Sequence, residues 1–200
     1  MANRLRIPAL AALGLAALTA CTDTPLPVSA AENEIAVQRA RFLFEAACVS
    51  NTTRRAQERA FDAQNLFAKD RTRGQVNYVD PGALVFAALL PDYFDRENDE
   101  GQVVRQTGRS CAVGSPAISI RDANLIMRQI VATRFATGAE GDRFREIEEI
   151  GEDPESGAIG FFWPDMVLTV SNATVDITDQ SGETTEVDLV SLNLFREGGR

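Results

Sequence analysis

Residues 166–194, MVLTVSNATVDITDQSGETTEVDLVSLNL, decide the fold class of the C-terminal part of the chain. Apolar and polar residues alternate over 166–170 and 175–177, and the apolar positions resume within 187–194. A period of two is typical of strands that bury one face, and the segment 179–182 carries turn-forming residues. We therefore predict an antiparallel β-meander of three strands.

The N-terminal part has helical periodicity instead. Residues 29–32 (SAAE) have the spacing of a capping box, and apolar residues follow at helical intervals as far as Cys48. Asn51 or Thr52 can begin a second helix, which we expect to end at Gly74. The two helices should form an antiparallel pair.

Two more helices are predicted further along the chain. Asp122 can cap a third helix, whose apolar positions include Leu125 and Ile126 and which ends before Gly138. Residues 142–150 predict a fourth helix that is short and charged.

The segments between these helices have the pattern of strands. Residues 83–90 (ALVFAALL) form a continuous apolar run that fits either a buried strand or a short helix, and we prefer the strand. Residues 92–101 predict an acidic loop. Short strands are predicted over 103–106 and 110–113, joined by the residues 107–109.

Together these patterns predict an α+β fold. An N-terminal helical pair and a third helix pack on a small, mostly antiparallel sheet, and the C-terminal β-meander follows. We expect residues 29–150 to form the α+β domain and residues 158–200 to form the meander, packed on the same domain.

The N-terminus has the pattern of an export signal. Arg4 and Arg6 precede an apolar run at 7–17, which is too short to span a bilayer, and the small residues of 18–21 (LTAC) end at Cys21. This arrangement resembles the signal peptide and lipobox of bacterial lipoproteins.

The resemblance implies that residues 1–20 are removed and that the thiol of Cys21 carries a diacylglycerol. Residues 21–28 would then tether the domain to the membrane. Because Thr22 rather than an aspartate follows the cysteine, the sorting rule of enteric bacteria implies the outer membrane, with the domain facing the periplasm. The alternative is an ordinary signal peptide cut after Ala20, which would leave Cys21 unmodified.

The chain has 3 cysteines and no histidine. Without imidazole, the usual Ser-His-Asp and Cys-His machinery and most zinc and haem sites are excluded. With Cys21 lipidated, Cys48 and Cys111 remain, and two such cysteines usually pair in an oxidising compartment. A reactive thiol at Cys111 is the alternative, but histidine is not available as its base.

A helix that ends near Cys48, followed by strands and the tripeptide Cys111-Ala112-Val113, resembles small secreted proteins of alphaproteobacteria that lack a known activity. The resemblance covers residues 42–113 and implies no function.

Residues 161–165 (FFWPD) hold the densest aromatic cluster. Trp163 beside Asp165 could form a sugar platform, but large aromatic rings are mostly buried, and we favour a core position for the ring. Acids crowd together in 146–155, where a carboxylate pair could serve glycoside chemistry. Acids also alternate over 95–101, but the glycine and glutamate spacing of a calcium-binding EF-hand is absent.

The formal net charge of −9 argues against a nucleic-acid partner. We therefore predict a non-enzymatic envelope lipoprotein, held to the membrane by its N-terminal lipid, that binds an unidentified envelope protein or cell-wall component. No cofactor or metal is expected. The alternative is a carboxylate-based glycan hydrolase or a glycan-binding module that contacts its ligand through Trp163 and Asp165.

Overall fold

The computed structural model describes residues 28–66, 68–72, 74–91, 93–97, 101–135, 145–148, 157–163, 165–178 and 182–198. The signal peptide, Cys21 and the tether up to residue 27 lie outside the described residues, as do the acids of 149–156.

The N-terminal helical elements are followed by strands, with one further helix between two of the strands. The helical elements are α1 (Ala30–Leu43), a π-helix (Phe44–Val49), α2 (Arg54–Asp62) and α3 (Ile120–Arg134). The strands are β1 (Ala68–Thr72), β2 (Gln75–Asp80), β3 (Val85–Leu89), β4 (Tyr93–Glu97), β5 (Val103–Ser115), β6 (Arg145–Glu148), β7 (Ile159–Phe162), β8 (Met166–Thr178) and β9 (Thr184–Glu197).

The strands form one antiparallel sheet in the order β1-β2-β3-β5-β9-β8-β7-β6, and β4 pairs with the first half of β5. Strand β9 pairs with both β5 and β8, so strands from the two predicted segments share this sheet. The predicted α+β class is confirmed.

One face of the sheet carries the apolar core together with the helices. Two register rows cross this face: Leu89, Cys111, Leu194 and Leu168 in the first, and Ala87, Val113, Leu192 and Val170 in the second. These side chains are buried in one cluster with the inner residues of α1, the π-helix and α3. Because side chains alternate along a strand, the residues between them lie on the opposite face.

The first helix begins as the sequence predicts. The Glu32 N–H donates to Ser29 Oγ at 3.2 Å, and the Ser29 N–H donates to the Glu32 carboxylate at 2.9 Å, which completes the capping box. Helical structure continues through the π-helix to Val49, close to the predicted end at Cys48. The π-helix buries the Cys48 side chain against the sheet.

The second helix is shorter than predicted. Its N-cap is Thr53 rather than Asn51 or Thr52, and it ends at Asp62 instead of reaching Gly74. Asn65 has a left-handed backbone with φ of 52°, which takes the chain out of the helix. The residues that follow, Ala68–Thr72, form an edge strand paired with β2, so tertiary pairing overrides their helical pattern.

The third helix is capped by Ser119, and Asp122 is the acidic residue that completes this second capping box. Its buried positions include Ile126 as expected, but Leu125 is half exposed. The predicted fourth helix at 142–150 is wrong over its described residues, because Arg145–Glu148 is a strand paired with β7.

The strand at 83–90 is confirmed as β3. The predicted acidic loop is wrong over Tyr93–Glu97, which pairs with β5. The two short strands at 103–106 and 110–113 form one strand, because Gly108 is not in a turn. A Cβ on Gly108 would lie 2.1 Å from the Phe195 ring, so this glycine permits close packing within the sheet.

The predicted strands at 166–170 and 175–177 are also one strand. Strand β8 pairs without interruption with β9 from Met166 opposite Arg196 to Thr178 opposite Thr184. The prediction of three strands within 166–194 is therefore wrong, because this segment forms the two-stranded β8–β9 hairpin. Strand β7 pairs with β8 and makes the C-terminal meander three-stranded, and the hairpin extends beyond the end of β5.

Candidate functional site

The two cysteines left for pairing are joined. Cys48 and Cys111 form a disulfide with their Cα atoms 5.5 Å apart, and both are at most 1% exposed. The bond ties the π-helix to the middle of β5, so Cys111 is not a free thiol in this structure.

Trp163 and Asp165, the predicted ligand-contact pair, lie between β7 and β8 in different environments. The Trp163 side chain is 8% exposed, and its ring centroid lies 5.2 Å from that of Phe135, at the end of α3. Asp165 is exposed, and its carbonyl accepts the Glu197 N–H at 2.8 Å. The Trp163 ring packs in the core, and no open platform forms around it.

The remaining candidate acids fall mostly outside what can be described. Of the acids in 146–155, Glu146 and Glu148 lie within the described residues, in β6, and the others lie outside them. Over the described ranges, no group of three or more acids and cysteines is placed to hold a metal ion. Over the same ranges, no helix is both long and apolar enough to cross a membrane.

The sheet face opposite the helices has an unusual composition. One register row crosses it from β2 to β7 and consists of small or polar residues: Asn77, Ala88, Ala112, Asn193, Thr169 and Gly160. The neighbouring row contains Phe86, Gly114, Ser191 and Ser171. We call this surface the open face. Small side chains make its centre shallow, and Phe86 in the neighbouring row is its large apolar side chain.

A network of neutral hydrogen bonds occupies the middle of the open face. The amide nitrogen of Asn193 donates to Ser171 Oγ at 3.0 Å and to the Ser191 carbonyl at 3.2 Å. The Ser191 hydroxyl donates back to the Asn193 amide oxygen at 3.0 Å. These bonds fix the Asn193 side chain across β8 and β9 and hold its amide against the Ser171 hydroxyl.

A cavity of about 240 Å³ lies beside this network. Gly160, Phe162, Thr169 and Ser171 form the part of its lining that belongs to the open face. A Cβ on Gly160 would lie 2.8 Å from the Phe162 ring, so the ring leans over the glycine. Among the side chains that the structure describes, this lining contains no ionisable group. The cavity therefore offers an aromatic wall and two hydroxyl groups, which suit a neutral ligand with both apolar and hydrogen-bonding parts.

A second cavity, of about 500 Å³, lies on the outer side of the helices. Its charged groups bind one another: Arg41 Nε lies 2.9 Å from the Glu45 carboxylate, and Arg134 lies 3.4 Å from the same carboxylate. Since Arg41 also donates to Gln129 at 2.7 Å, these contacts hold α1 and α3 side by side. Their role is to join the helices, and their charges are already paired.

No protein-family model, curated protein or solved structure matches this chain. The chemistry available to the domain is therefore inferred from its own side chains.

The open face was not predicted from the sequence, although part of its signal is present there. Thr169 and Ser171 are the polar members of the β8 alternation, and Ser191 and Asn193 are those of β9. Two polar pairs at a spacing of two in neighbouring strands indicate a polar sheet face. The sequence does not say that the two pairs are in register.

Proposed function

We propose that this chain is a lipoprotein of the bacterial envelope, anchored through a lipid on Cys21, whose domain acts by binding another envelope component. The observation that carries the proposal is the buried disulfide between Cys48 and Cys111. Such bonds form and persist in oxidising compartments, as an exported domain requires. The disulfide supports the export signal at 1–20 from an independent part of the chain.

The open face supports binding as the mode of action. Its network of Asn193, Ser191 and Ser171 is neutral, and the described side chains that line the neighbouring cavity include no group that titrates near neutral pH. Acid–base chemistry needs such a group, whereas recognition needs only fixed hydrogen-bonding partners and shape. We therefore assign the partner to the open face.

The anchor is tested with Cys21→Ser in the full chain, expressed in a Gram-negative bacterium. We expect the wild-type protein to carry lipid on Cys21 by mass spectrometry and to remain with the membrane. The variant should be unprocessed or soluble. Processed Cys21→Ser protein that stays on the membrane as tightly as wild type would contradict the anchor.

The binding surface is tested by site-specific photo-crosslinking in intact cells. A photoreactive amino acid replaces Thr169 on the open face, and the matched control replaces Arg121, which is exposed on α3. We expect one discrete adduct from position 169 and none of the same mass from position 121. Identical adduct patterns at both positions, or none at 169, would show that the open face is not the binding surface.

A second candidate, glycan binding, is favoured by the cavity beside Phe162. A sugar ring presents apolar C–H groups on its faces and hydroxyls on its edges, which suit the Phe162 ring and the hydroxyls of Thr169 and Ser171. The test is co-sedimentation of the purified protein with peptidoglycan, compared with Phe162→Ala. Binding that the substitution abolishes would support a glycan ligand. Released soluble fragments would indicate a hydrolase instead.

A further inference from the structure

The outer side of α1 carries apolar side chains that the core does not cover. Ile35 is 52% exposed and Phe42 is 50% exposed, and Val28, just before the N-cap, is 40% exposed. We call these three residues the outer stripe. Seven residues advance a helix by about two turns, so Ile35 and Phe42 point in nearly the same direction. Elsewhere in the described residues, only Leu84 and Leu125 are large, apolar and exposed.

The position of the outer stripe in the chain identifies what it meets. Seven residues separate Val28 from Cys21, and an extended chain of that length spans at most about 25 Å. A lipid on Cys21 therefore keeps the N-terminal end of α1 within that distance of the bilayer surface. Tethering also raises the local concentration of the membrane, so a weak apolar surface is sufficient for contact.

A partner helix is a poorer fit to the outer stripe. A helical seam needs apolar residues at two positions in each heptad. Between Ile35 and Phe42, the intermediate positions are Gln38 and Arg39, and both are engaged within the domain. Gln38 donates to Glu34 at 3.1 Å, and Arg39 donates to Asp80 at 2.7 Å. One apolar residue per heptad suits a flat surface better than an interlocking helix.

The charges around the outer stripe favour lipid headgroups that carry no net charge. Arg39 lies 6.0 Å from the Phe42 ring and is paired with Asp80, and Arg41 is paired with Glu45. The chain as a whole carries a net charge of −9, so an anionic surface would repel it. Zwitterionic phospholipid is the surface that this combination fits.

We infer that the outer stripe of α1 rests on the zwitterionic lipid of the membrane to which Cys21 is anchored. The inference depends on the proposed lipid anchor. In this orientation the outer side of α1 faces the bilayer, and the open face of the sheet points away from it. The contact thus presents the open face to the compartment in which its partner lies.

The experiment uses the lipidated full-length protein, extracted and reconstituted in phosphatidylcholine vesicles with bromine atoms on the acyl chains. Phe42→Trp places a reporter in the outer stripe, and Leu125→Trp is the matched control at an equally exposed position of α3. The chain has one native tryptophan, the buried Trp163, whose emission is subtracted with the wild-type protein. We expect the brominated lipid to quench the emission from Phe42→Trp by about half, because interfacial helices bury their apolar side about 5–10 Å deep. The control should be little affected.

Each other outcome overturns the inference in a distinguishable way. If Cys21 carries lipid and the protein floats with the vesicles, but Phe42→Trp is quenched no more than Leu125→Trp, the outer stripe does not touch the membrane and the anchor stands. If mass spectrometry finds no lipid on Cys21, the anchor and the inference both fail. A blue shift of Phe42→Trp that depends on protein concentration without vesicles would assign the stripe to a second copy of the chain.

Discussion

Asn33 in α1 lies against Asp122 in the first turn of α3, with its amide nitrogen 3.2 Å from the Asp122 carboxylate. The same nitrogen donates to the Ala117 carbonyl at 2.7 Å. One side chain therefore ties the start of α1 to both the cap of α3 and the loop before it. The two helices run parallel from this point, since Arg41 and Glu45 meet Gln129 and Arg134 further along.

Replacing this amide should destabilise the fold. Asn33→Ala removes both donors and leaves the part-buried Ala117 carbonyl unpaired, so we expect a loss of about 1–2 kcal/mol in the free energy of unfolding. Urea denaturation followed by circular dichroism measures it. Gln38→Ala is the control, because within the described part of the chain the exposed Gln38 side chain bonds to Glu34 alone. Equal losses of unfolding free energy in both variants would show that the Asn33 hydrogen bonds contribute no more than an exposed surface contact.

The same contact makes stability depend on acidic pH. Burial raises the pKa of Asp122, but hydrogen bonds from Ser119 and Asn33 outweigh it and hold the pKa of this carboxyl group below its ordinary value. A carboxyl group with a lowered pKa stabilises the fold above its unfolded pKa, and the contribution is lost as pH falls through the folded pKa. The advantage of wild type over Asp122→Asn should therefore be present at neutral pH and shrink as the pH falls below about 3.9, the pKa of an unfolded aspartate. An advantage that is unchanged by acid would contradict the assignment.

The disulfide should contribute substantially to stability. The sequence separation between Cys48 and Cys111 is 63 residues, and the loop-entropy relation gives about 4 kcal/mol for a loop of this size. The double substitution Cys48→Ala and Cys111→Ala should lower the unfolding free energy by about that amount, measured with denaturant at neutral pH. Cys21→Ser, which leaves the bridge intact, is the control. Two free thiols at Cys48 and Cys111 in mass spectra of the oxidised protein would refute the bridge.

Gly108 should tolerate no side chain. A Cβ there would lie 2.1 Å from the Phe195 ring and 2.8 Å from the Arg196 carbonyl, so Gly108→Ala must shift backbone or ring. We expect a loss of about 2 kcal/mol or more, as for overpacking in a core.

The matched control for this substitution is Gly82→Ala. A Cβ on Gly82 would make only an ordinary contact of 3.6 Å with Asp80. Gly82→Ala should therefore change the melting temperature little. A melting temperature for Gly108→Ala as high as that of Gly82→Ala would mean that β5 and β9 do not approach closely at this point.

Local sequence was sufficient where the deciding interactions are local. The capping box of Ser29 and Glu32 lies within one turn, and both of its hydrogen bonds are present. The apolar run that forms β3 has no polar face to solvate, so its burial follows from composition, although composition alone fits a short helix as well as a strand. The α+β class follows from the change in hydrophobic period along the chain.

Local sequence misled where pairing over a distance decides the structure. The helix predicted as far as Gly74 stops at Asp62, because Ala68–Thr72 pairs with β2. The break predicted around Gly108 disappears, because β9 supplies continuous partners and the Phe195 ring takes the space beside the glycine. Glycine and polar residues end a strand only where no neighbouring strand supplies hydrogen bonds to the backbone on either side.

The amino-acid sequence by itself determined the fold class, the two cysteines that pair and the helix that begins at Ser29, since each depends on residue type and spacing. Only the tertiary structure decided the open face. Its row of small and polar residues is assembled from β2, β3, β5, β9, β8 and β7, which come together through strand register. A shift of one residue in any of these pairings would turn the row toward the core, so the candidate site exists only once the whole sheet has formed.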